Sequence, residues 1–249
     1  GIDIGGTFTD IVIYDPGTGR HHIWKEPTTP GDPAEGVIAG TKRLLATGAV
    51  AAKDIARVVH ATTLFTNALI ERKGARTGLI TTAGFRDVLE IGRERKFELY
   101  DIFIEMPEPL VPRSLRREVA ERLDQNGALE VPLDEAALMD EVEDLVERGV
   151  VSIAIVFLHS YANPAHENAA ARAVAARYPD ISLTTSAEVA PEIREFERTS
   201  TTVVNAFVKP LADTYLDSLV ERIRELEIDG PFSLMLSNGG LTHLGEAKR

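Results

Sequence analysis

The stretch Asp3-Ile4-Gly5-Gly6-Thr7-Phe8-Thr9-Asp10 decides the fold. It joins two β-prone segments, 2–4 and 8–14, which predicts a pair of strands with a turn at the two glycines. Because glycine has no Cβ, the backbone N–H groups of such a turn can approach a phosphate closely, and the Thr7 hydroxyl adds a donor. The string therefore predicts a β-hairpin whose turn binds phosphate groups.

The acid at the end of the first predicted strand indicates a metal site. Asp3 offers the oxygen ligand that Mg²⁺ prefers, and Mg²⁺ usually keeps several waters besides one or two carboxylates. The string is neither a P-loop, which needs Gly-Lys-Ser or Gly-Lys-Thr, nor the dinucleotide motif Gly-x-Gly-x-x-Gly. The alternative is a plain hairpin in which Gly5 and Gly6 only form the turn and Asp3 is solvated.

Composition limits the class of protein. The 249 residues include 39 acidic and 27 basic side chains, which gives a net charge of −12. A chain this acidic repels phosphate backbones and anionic lipids, so we expect neither nucleic acid nor a membrane as a partner. It has no cysteine, which excludes disulfides and thiolate sites and fits a reducing compartment, so we expect a cytoplasmic protein. The first residue is not methionine, and we expect a piece of a longer chain.

Strand and helix signals alternate after the first hairpin, which predicts an α/β fold. Further strands are expected at 21–25, 58–59, 77–81, 150–158, 181–184 and 233–236. Helices are expected at 33–47, 64–73, 134–149, 164–178 and 191–227. Asp32 is expected to cap the first helix, Asn126-Gly127 predicts a hairpin between 118–123 and 128–131, and Lys209-Pro210 should interrupt the last helix.

The opening string also carries a family resemblance. Asp3 to Thr7 resembles the first phosphate loop of the actin, Hsp70 and sugar kinase superfamily. The longer form, Asp-x-Gly-Gly-Thr-Phe-Thr-Asp, is similar to the hydantoinase A / 5-oxoprolinase family, which includes the β subunits of acetone and acetophenone carboxylases. Further matching strings are His60-Ala61-Thr62-Thr63 with Thr66-Asn67-Ala68, Glu71-Arg72-Lys73-Gly74-Ala75-Arg76-Thr77, Gly84 to Arg93, Leu158 to Pro164, Arg194 to Thr202 and Ser237-Asn238-Gly239-Gly240.

The resemblance implies a ribonuclease H-like (actin-like ATPase) fold, with a mixed sheet flanked by helices. It implies an N-terminal domain over 1–185 and the beginning of the main domain over 186–249, so that the chain holds the N-terminal lobe and the start of the second. The second phosphate loop is then expected outside this chain. We therefore expect the chain alone to hydrolyse ATP poorly or not at all.

The resemblance further implies ATP-dependent opening of a cyclic amide such as 5-oxoproline or a hydantoin. A five-membered lactam is resonance-stabilised, so its hydrolysis is driven by first phosphorylating the amide oxygen. In this scheme Asp3 is catalytic and positions Mg²⁺, and Asp10 orients a hydroxyl or a metal-bound water. The implied phosphate ligands are Gly5, Gly6, Thr7 and Thr9. The implied partner is a hydantoinase B-type subunit or domain.

A second group of candidates follows the strand at 58–59. These residues stand where a strand ends and a helix begins, a place where backbone donors and hydroxyls converge. His60 is a candidate general base, and Thr62, Thr63 and Asn67 are candidate substrate ligands. For His60 the residue type alone favours a hydrogen-bonded core histidine, whereas the resemblance favours the active site.

A basic cluster in this acidic chain is a candidate carboxylate site. Arg93 is followed closely by Arg95 and Lys96, and a guanidinium pairs well with a substrate carboxylate. We therefore include Arg93 among the candidate substrate ligands. The alternative is a solvated loop that makes surface salt bridges.

Three other functions stay open from the sequence. The chain can belong to a carboxylase β subunit that uses ATP to activate a ketone or bicarbonate. A sugar-kinase-like phosphoryl transfer fits less well, because the strings after residue 57 match the hydantoinase family better. The third reading is a non-catalytic nucleotide-binding or assembly subunit.

Overall fold

The computed structural model describes residues 1–29, 31–93, 100–105 and 107–247. Its strands are β1 (Ile2–Ile4), β2 (Phe8–Asp15), β3 (Arg20–Pro27), β4 (Val58–Thr62), β5 (Thr77–Thr82), β6 (Arg116–Val119), β7 (Arg122–Leu123), β8 (Leu129–Val131), β9 (Ser152–Val156), β10 (Ser182–Thr185), β11 (Phe232–Met235) and β12 (Leu241–His243). Its helices are α1 (Pro33–Ala46), α2 (Leu64–Ile70), α3 (Val88–Ile91), α4 (Glu135–Glu147), α5 (Ala165–Arg177), α6 (Ser186–Val189), α7 (Glu195–Arg224) and α8 (Leu244–Ala247). Among the helices in the described part of the chain, none combines the length and apolar character that a membrane crossing needs.

The chain forms two compact units. Unit 1 comprises Gly1–Lys73 and Leu211–Arg249, and unit 2 comprises Gly74–Pro210. Helix α7 contributes its first half to unit 2 and its second half to unit 1. The expected boundary between two sequence domains after residue 185 is not the boundary between these compact units, and it stays a prediction.

Unit 1 is built on a six-stranded mixed sheet in the order β12-β11-β4-β1-β2-β3. Strands β1, β2 and β3 are antiparallel neighbours, whereas β4 runs parallel to both β1 and β11. One face of the sheet buries Ile2 and Ile4 in a core with Val37 of α1 and Leu216 and Leu219 of α7. The α/β prediction with a mixed sheet flanked by helices is confirmed for this unit.

Unit 2 is built on a parallel four-stranded sheet in the order β10-β9-β5-β6. All residues of β5 and β9 are buried, as expected for parallel strands that are covered on both faces. The core contains Ile80 and Ile155 from the sheet, Leu138 from α4 and Val174 from α5. The apolar run at 150–158 therefore forms a central strand, as its composition predicts.

Helix α7 corrects one prediction, because it continues from Glu195 to Arg224 with Pro210 inside it. Proline cannot donate to the carbonyl four residues earlier, which normally breaks the helix. Here that carbonyl, on Ala206, accepts a hydrogen bond from Ser152 Oγ at 2.7 Å. The next carbonyl, on Phe207, accepts from Ala75 N at 2.8 Å. The carbonyl that Pro210 leaves without a helical donor is thus satisfied by a side chain of β9 in unit 2.

Two smaller predictions need correction. The hairpin at Asn126-Gly127 exists, but only the short strands β7 and β8 belong to it, because β6 pairs with β5 in the parallel sheet. Asp32 stands at the N-cap of α1 but makes no side-chain cap bond. Its carboxylate instead accepts from the Arg222 guanidinium at 2.7 Å.

Candidate functional site

The turn between β1 and β2 presents free backbone donors. Gly5 N donates to the Phe8 carbonyl at 2.9 Å, which closes the hairpin. Thr28 holds the turn from the side, since its hydroxyl donates to the Gly5 carbonyl at 2.9 Å and its N–H to the Thr7 carbonyl at 3.0 Å. Within the described residues, the N–H groups of Gly6 and Thr7 have no acceptor, and both residues are exposed. Two adjacent free N–H groups form the kind of concave surface that binds an anion.

Asp3 and Asp10 lie directly opposite each other on the antiparallel pair β1 and β2. Asp3 is exposed, and its carboxylate makes no hydrogen bond or ion pair with a described residue. Asp10 is paired with Lys25, with its oxygens 2.8 and 3.0 Å from Lys25 Nζ. Asp3 is therefore the carboxylate available next to the turn.

The residues around Asp3 fit Mg²⁺ bound together with a phosphate ligand. No cluster of three or more His, Cys, Asp or Glu side chains occurs in the described ranges, so an all-protein cage is not the arrangement found there. Mg²⁺ is typically held by one or two carboxylates, with waters and substrate phosphates completing its octahedron. Asp3, beside a turn with free N–H donors, meets that description.

Thr9 does not reach the turn surface. It is fully buried, and its hydroxyl lies 3.1 Å from that of Thr28. Helix α1 packs over it, since a Cβ added at Gly36 would lie 3.5 Å from Thr9 Oγ1. The predicted phosphate contact of Thr9 gains no support, because alternation along β2 turns its side chain into the core.

His60 is also a core residue. It is fully buried on β4, its Nδ1–H donates to the Ile2 carbonyl at 3.3 Å, and its Nε2 accepts from the Tyr215 hydroxyl at 2.8 Å. Burial lowers the pKa of His60 from 6.5 to about 4, although the bond to Ile2 favours the charged form. Both ring nitrogens are engaged away from any surface, so the predicted role as general base gains no support.

The buried histidine predicts a pH-dependent stability. The unfolded imidazole titrates near 6.5 and the folded one near 4, so the unfolded state binds more protons between these values. The contribution of His60 to the free energy of unfolding is therefore fully present above pH 6.5. It is lost as the pH drops from 6.5 to 4, which lowers the free energy of unfolding by up to about 3 kcal/mol. Urea unfolding at pH 5 and pH 7 measures this difference in the free energy of unfolding. His60→Gln should remove this part of the pH dependence, and an unchanged dependence in the variant would refute the assignment.

A cavity of about 260 Å³ lies on the other side of the turn from Asp3. Ile4 lines it, and Ile4 and Asp3 occupy opposite faces of β1 because side chains alternate along a strand. Most of its walls are apolar, and the polar groups come from the turn, from Thr28, from α2 and from the residues that follow α2. The lining residues are Ile4, Gly5, Gly6, Thr28, Pro33, Leu64, Asn67, Ala68, Glu71, Lys73 and Leu211.

Among the predicted substrate ligands, Asn67 is the one that lines this cavity. A Cβ added at Gly6 would lie 3.7 Å from Asn67 Nδ2, so the carboxamide stands next to the turn. Thr62 Oγ1 accepts from Leu64 N at 3.0 Å and thereby starts α2. Thr63 is exposed at the N-cap of α2 and makes no side-chain cap bond. The structure thus brings Asn67, and neither of the threonines, to the cavity wall.

Arg93 belongs to unit 2 and does not line the cavity. Its guanidinium pairs with the carboxylate of Glu197, which agrees with the alternative of a salt-bridged loop. Arg95 and Lys96 lie outside the described residues.

The sequence prediction missed three polar residues of the cavity wall, Thr28, Glu71 and Lys73. Thr28 follows β3, and Glu71 and Lys73 follow α2, where they form an exposed ion pair of 2.7 Å. A signal existed for the last two, because Glu71-Arg72-Lys73-Gly74 is one of the family-like strings. Thr28 gave no signal, since its contact with the turn depends on the pairing of β2 with β3.

Two family models match the chain. The family model of the hydantoinase/oxoprolinase N-terminal region matches residues 1–178, and the hydantoinase/oxoprolinase model matches residues 198–249. Caprolactamase subunit alpha of Pseudomonas jessenii is 39% identical over 247 residues, which cover 97% of this chain and 35% of that protein. 5-Oxoprolinase 1 of Arabidopsis thaliana is 30% identical over 96% of this chain and 21% of its own length. The chain therefore spans between a fifth and about a third of these relatives.

Two solved structures resemble the chain closely. A nucleotide-free structure of acetone carboxylase, from a study of ATP-dependent acetone carboxylation, superposes with a TM-score of 0.86 at 30% identity. It is matched over 97% of this chain and 36% of that chain. The ATP-dependent caprolactamase of Pseudomonas jessenii superposes with a TM-score of 0.85 at 38% identity, over 96% and 36% of the two chains.

Proposed function

The chain belongs to the hydantoinase/oxoprolinase family, and from this premise we propose that it is part of an ATP-dependent enzyme that opens a cyclic amide. The observation that carries the proposal is the pair of free N–H groups on Gly6 and Thr7, beside the free carboxylate of Asp3. The names of the relatives support it, because they include an ATP-dependent caprolactamase and 5-oxoprolinases.

In this proposal the turn holds the phosphates of ATP. The N–H groups of Gly6 and Thr7 donate to phosphate oxygens, and Thr28 keeps the turn in that shape through its bonds to Gly5 and Thr7. Asp3, on the strand that leads into the turn, holds Mg²⁺. ATP supplies the phosphoryl group that converts the amide oxygen into a leaving group. The chain contributes positioning and charge neutralisation, which dominate catalysis of phosphoryl transfer.

The ring of the substrate lies in the 260 Å³ cavity in this proposal. Its apolar walls suit a small ring, and Asn67 supplies the polar contact. A carboxamide presents C=O and N–H side by side, and a lactam presents the complementary pair, so two hydrogen bonds can form between them. Asn67 thereby orients the amide beside the turn, because Asn67 Nδ2 lies 3.7 Å from where a Gly6 Cβ would be.

Calorimetry with Mg·ATP on the full-length protein tests nucleotide binding. Gly6→Val should weaken binding about 10–100-fold, because the side chain covers donors that bind a charged group. Gly6 is exposed, has no positive φ and has room for a Cβ, so the variant should fold. Gly245→Val, at an exposed position with open space, is the matched control and should bind like the wild type. Equal affinity of both variants would contradict the proposal.

A carboxylase activity is the second candidate, favoured by the TM-score of 0.86 with acetone carboxylase. The hydrolase and the carboxylase activities are distinguished by measuring which compound stimulates ATP hydrolysis. A lactam or hydantoin should do so for the proposed hydrolase, whereas acetone with bicarbonate should do so for a carboxylase. ATP binding that no substrate converts into turnover would indicate a nucleotide-binding subunit instead.

A further inference from the structure

Three charged side chains lie in a row across the first three strands of unit 1. Asp3 on β1 lies directly opposite Asp10 on β2, and Asp10 lies directly opposite Lys25 on β3. Residues that lie opposite each other in antiparallel strands project from the same face of the sheet, with their Cβ atoms about 5 Å apart. Lys25 therefore shares a sheet face with Asp3, two strands away from it.

The Lys25 ammonium is held from two sides. Its Nζ lies 2.8 and 3.0 Å from the two carboxylate oxygens of Asp10. It also lies 5.1 Å from the centroid of the Phe8 ring, within the range of a cation–π contact. Phe8 stands two residues nearer to the turn than Asp10, so the ammonium extends from its own strand position toward the turn. A side chain that is already ordered loses less entropy when it contacts a ligand.

The ammonium is accessible and keeps a donor for a ligand. An ammonium carries three N–H groups, of which the two oxygens of Asp10 engage at most two. The Lys25 side chain is 54% exposed, so a ligand can reach the remaining N–H. On this face of β1, β2 and β3, strands that the structure describes in full, Lys25 is the one lysine or arginine. The other side chains on the face, besides the two acids, belong to Phe8, Val12, Tyr14, His21, Ile23 and Pro27.

The two acids make a cation necessary if this face is to bind phosphate. Asp3 and Asp10 carry like charges on directly opposite residues, and both carboxylates repel a phosphate group. With Mg²⁺ held by Asp3, the row carries one net positive charge when Lys25 is present and none when it is absent. Lys25 therefore decides whether the row attracts the phosphates of the nucleotide.

We propose that Lys25 binds a phosphate oxygen of the nucleotide, in addition to the N–H groups of Gly6 and Thr7. The proposal rests on the function proposed for the turn and adds a charged side chain to its backbone donors. Lys25 keeps its bonds to Asp10 and donates its remaining N–H to the phosphate. A hydrogen bond from an ammonium to a phosphate is stronger than one from a neutral N–H group.

Calorimetry of the full-length protein with Mg·ATP tests this contact. Lys25→Met keeps a long side chain beside Phe8 but lacks the charge. It should weaken binding about 10-fold, as for a lost hydrogen bond to a charged group. The matched control is Lys42→Met, which makes the same change of charge at an exposed position of α1 and should bind like the wild type.

Asp10→Asn separates the binding of phosphate from support of the hairpin. It removes the same ion pair as Lys25→Met, but it keeps the ammonium and removes a carboxylate that repels phosphate. We therefore expect Asp10→Asn to bind Mg·ATP more tightly than Lys25→Met does. Both partners of the ion pair are exposed, so its loss costs little stability, and both variants should melt close to the wild type. Equal losses of affinity would mean that the ion pair only supports the hairpin, which would overturn the proposal.

Chemical labelling of the wild-type protein gives a readout that does not depend on turnover. Lysines are acetylated with an N-hydroxysuccinimide ester, with and without Mg·ATP, and the rate at each lysine is followed by mass spectrometry. Bound nucleotide should slow the modification of Lys25 severalfold, because the phosphate covers the amine, and should leave that of Lys42 unchanged. An unchanged rate at Lys25 in the presence of bound nucleotide would contradict the proposal.

The outcomes distinguish this proposal from the function proposed for the turn. Normal binding of Mg·ATP by Lys25→Met, together with weak binding by Gly6→Val, would overturn the role of Lys25 alone. A wild-type protein that binds no Mg·ATP would overturn both.

Discussion

Asparagine in place of Asp3 is expected to lower ATP turnover of the full-length protein about 10³-fold, since a carboxylate that holds Mg²⁺ contributes several kcal/mol to the transition state. Asp3 is exposed and has no partner among the described residues, so the amide should leave the fold intact. Steady-state release of ADP measures the effect, and thermal unfolding checks the fold.

Asp15→Asn is the matched control for this prediction. Asp15 ends β2 and accepts from Gly17 N at 2.8 Å within the next turn, a bond that asparagine can keep. Its turnover should equal that of the wild type. Wild-type turnover in the Asp3→Asn variant would remove Asp3 from the proposed metal site, and equal losses in both variants would indicate a general effect of charge.

Removal of the buried carboxylate of Glu167 is expected to produce the largest loss of stability. Glu167 is fully buried and accepts from Phe157 N and Ala187 N, each at 2.8 Å, and from Ser186 Oγ at 2.5 Å. Glu167→Ala leaves these donors unsatisfied and removes one of the carboxylates that stabilise the charge of Arg198. We expect the free energy of unfolding to fall by about 3–5 kcal/mol, measured by urea denaturation.

Two further variants serve as comparisons for the loss of stability in Glu167→Ala. Glu167→Gln keeps an acceptor oxygen and should lose less stability than the alanine variant. Glu143→Ala changes an exposed residue in the middle of α4 and should stay within about 0.5 kcal/mol of the wild type. A loss below about 1 kcal/mol for Glu167→Ala would mean that the buried network contributes little.

Local signals predicted much of the fold. The alternating residues around Gly5-Gly6 predict the first hairpin, and the apolar run at 150–158 predicts the central strand β9. The continuity of α7 through Pro210 could not be predicted locally, because the compensating donor is Ser152, far away in sequence. Tertiary contacts decide such points, and one sequence does not display them.

Part of the candidate site could likewise be predicted from local sequence, and part depends on tertiary contacts. Gly6, Thr7 and Asp3 belong to one short string, so their proximity follows from the hairpin itself. The predicted catalytic role of His60 gains no support for a reason that is distant in sequence, since Tyr215 on α7 donates a hydrogen bond to its ring in the core. Thr9 is likewise covered by α1. The phosphate-binding chemistry of the turn stays a prediction from residue types, whereas packing decides which of the neighbouring side chains reach the turn.

In the proposed function, the full-length protein activates a cyclic amide by transferring a phosphoryl group from ATP to the amide oxygen. The most direct measurement uses a lactam substrate labelled with ¹⁸O in its carbonyl group and follows the label into inorganic phosphate by mass spectrometry. Transfer breaks the bond between the γ-phosphorus and ADP and forms one to the amide oxygen. One water then adds to the carbonyl carbon, the ring C–N bond breaks and the nitrogen takes up a proton, which leaves an acyl phosphate. A second water attacks the carbon of the acyl phosphate and releases inorganic phosphate with the labelled oxygen. We predict one ¹⁸O atom in the phosphate for each ring opened. Unlabelled phosphate, with all of the ¹⁸O retained in the ring-opened carboxylate, would contradict the claim.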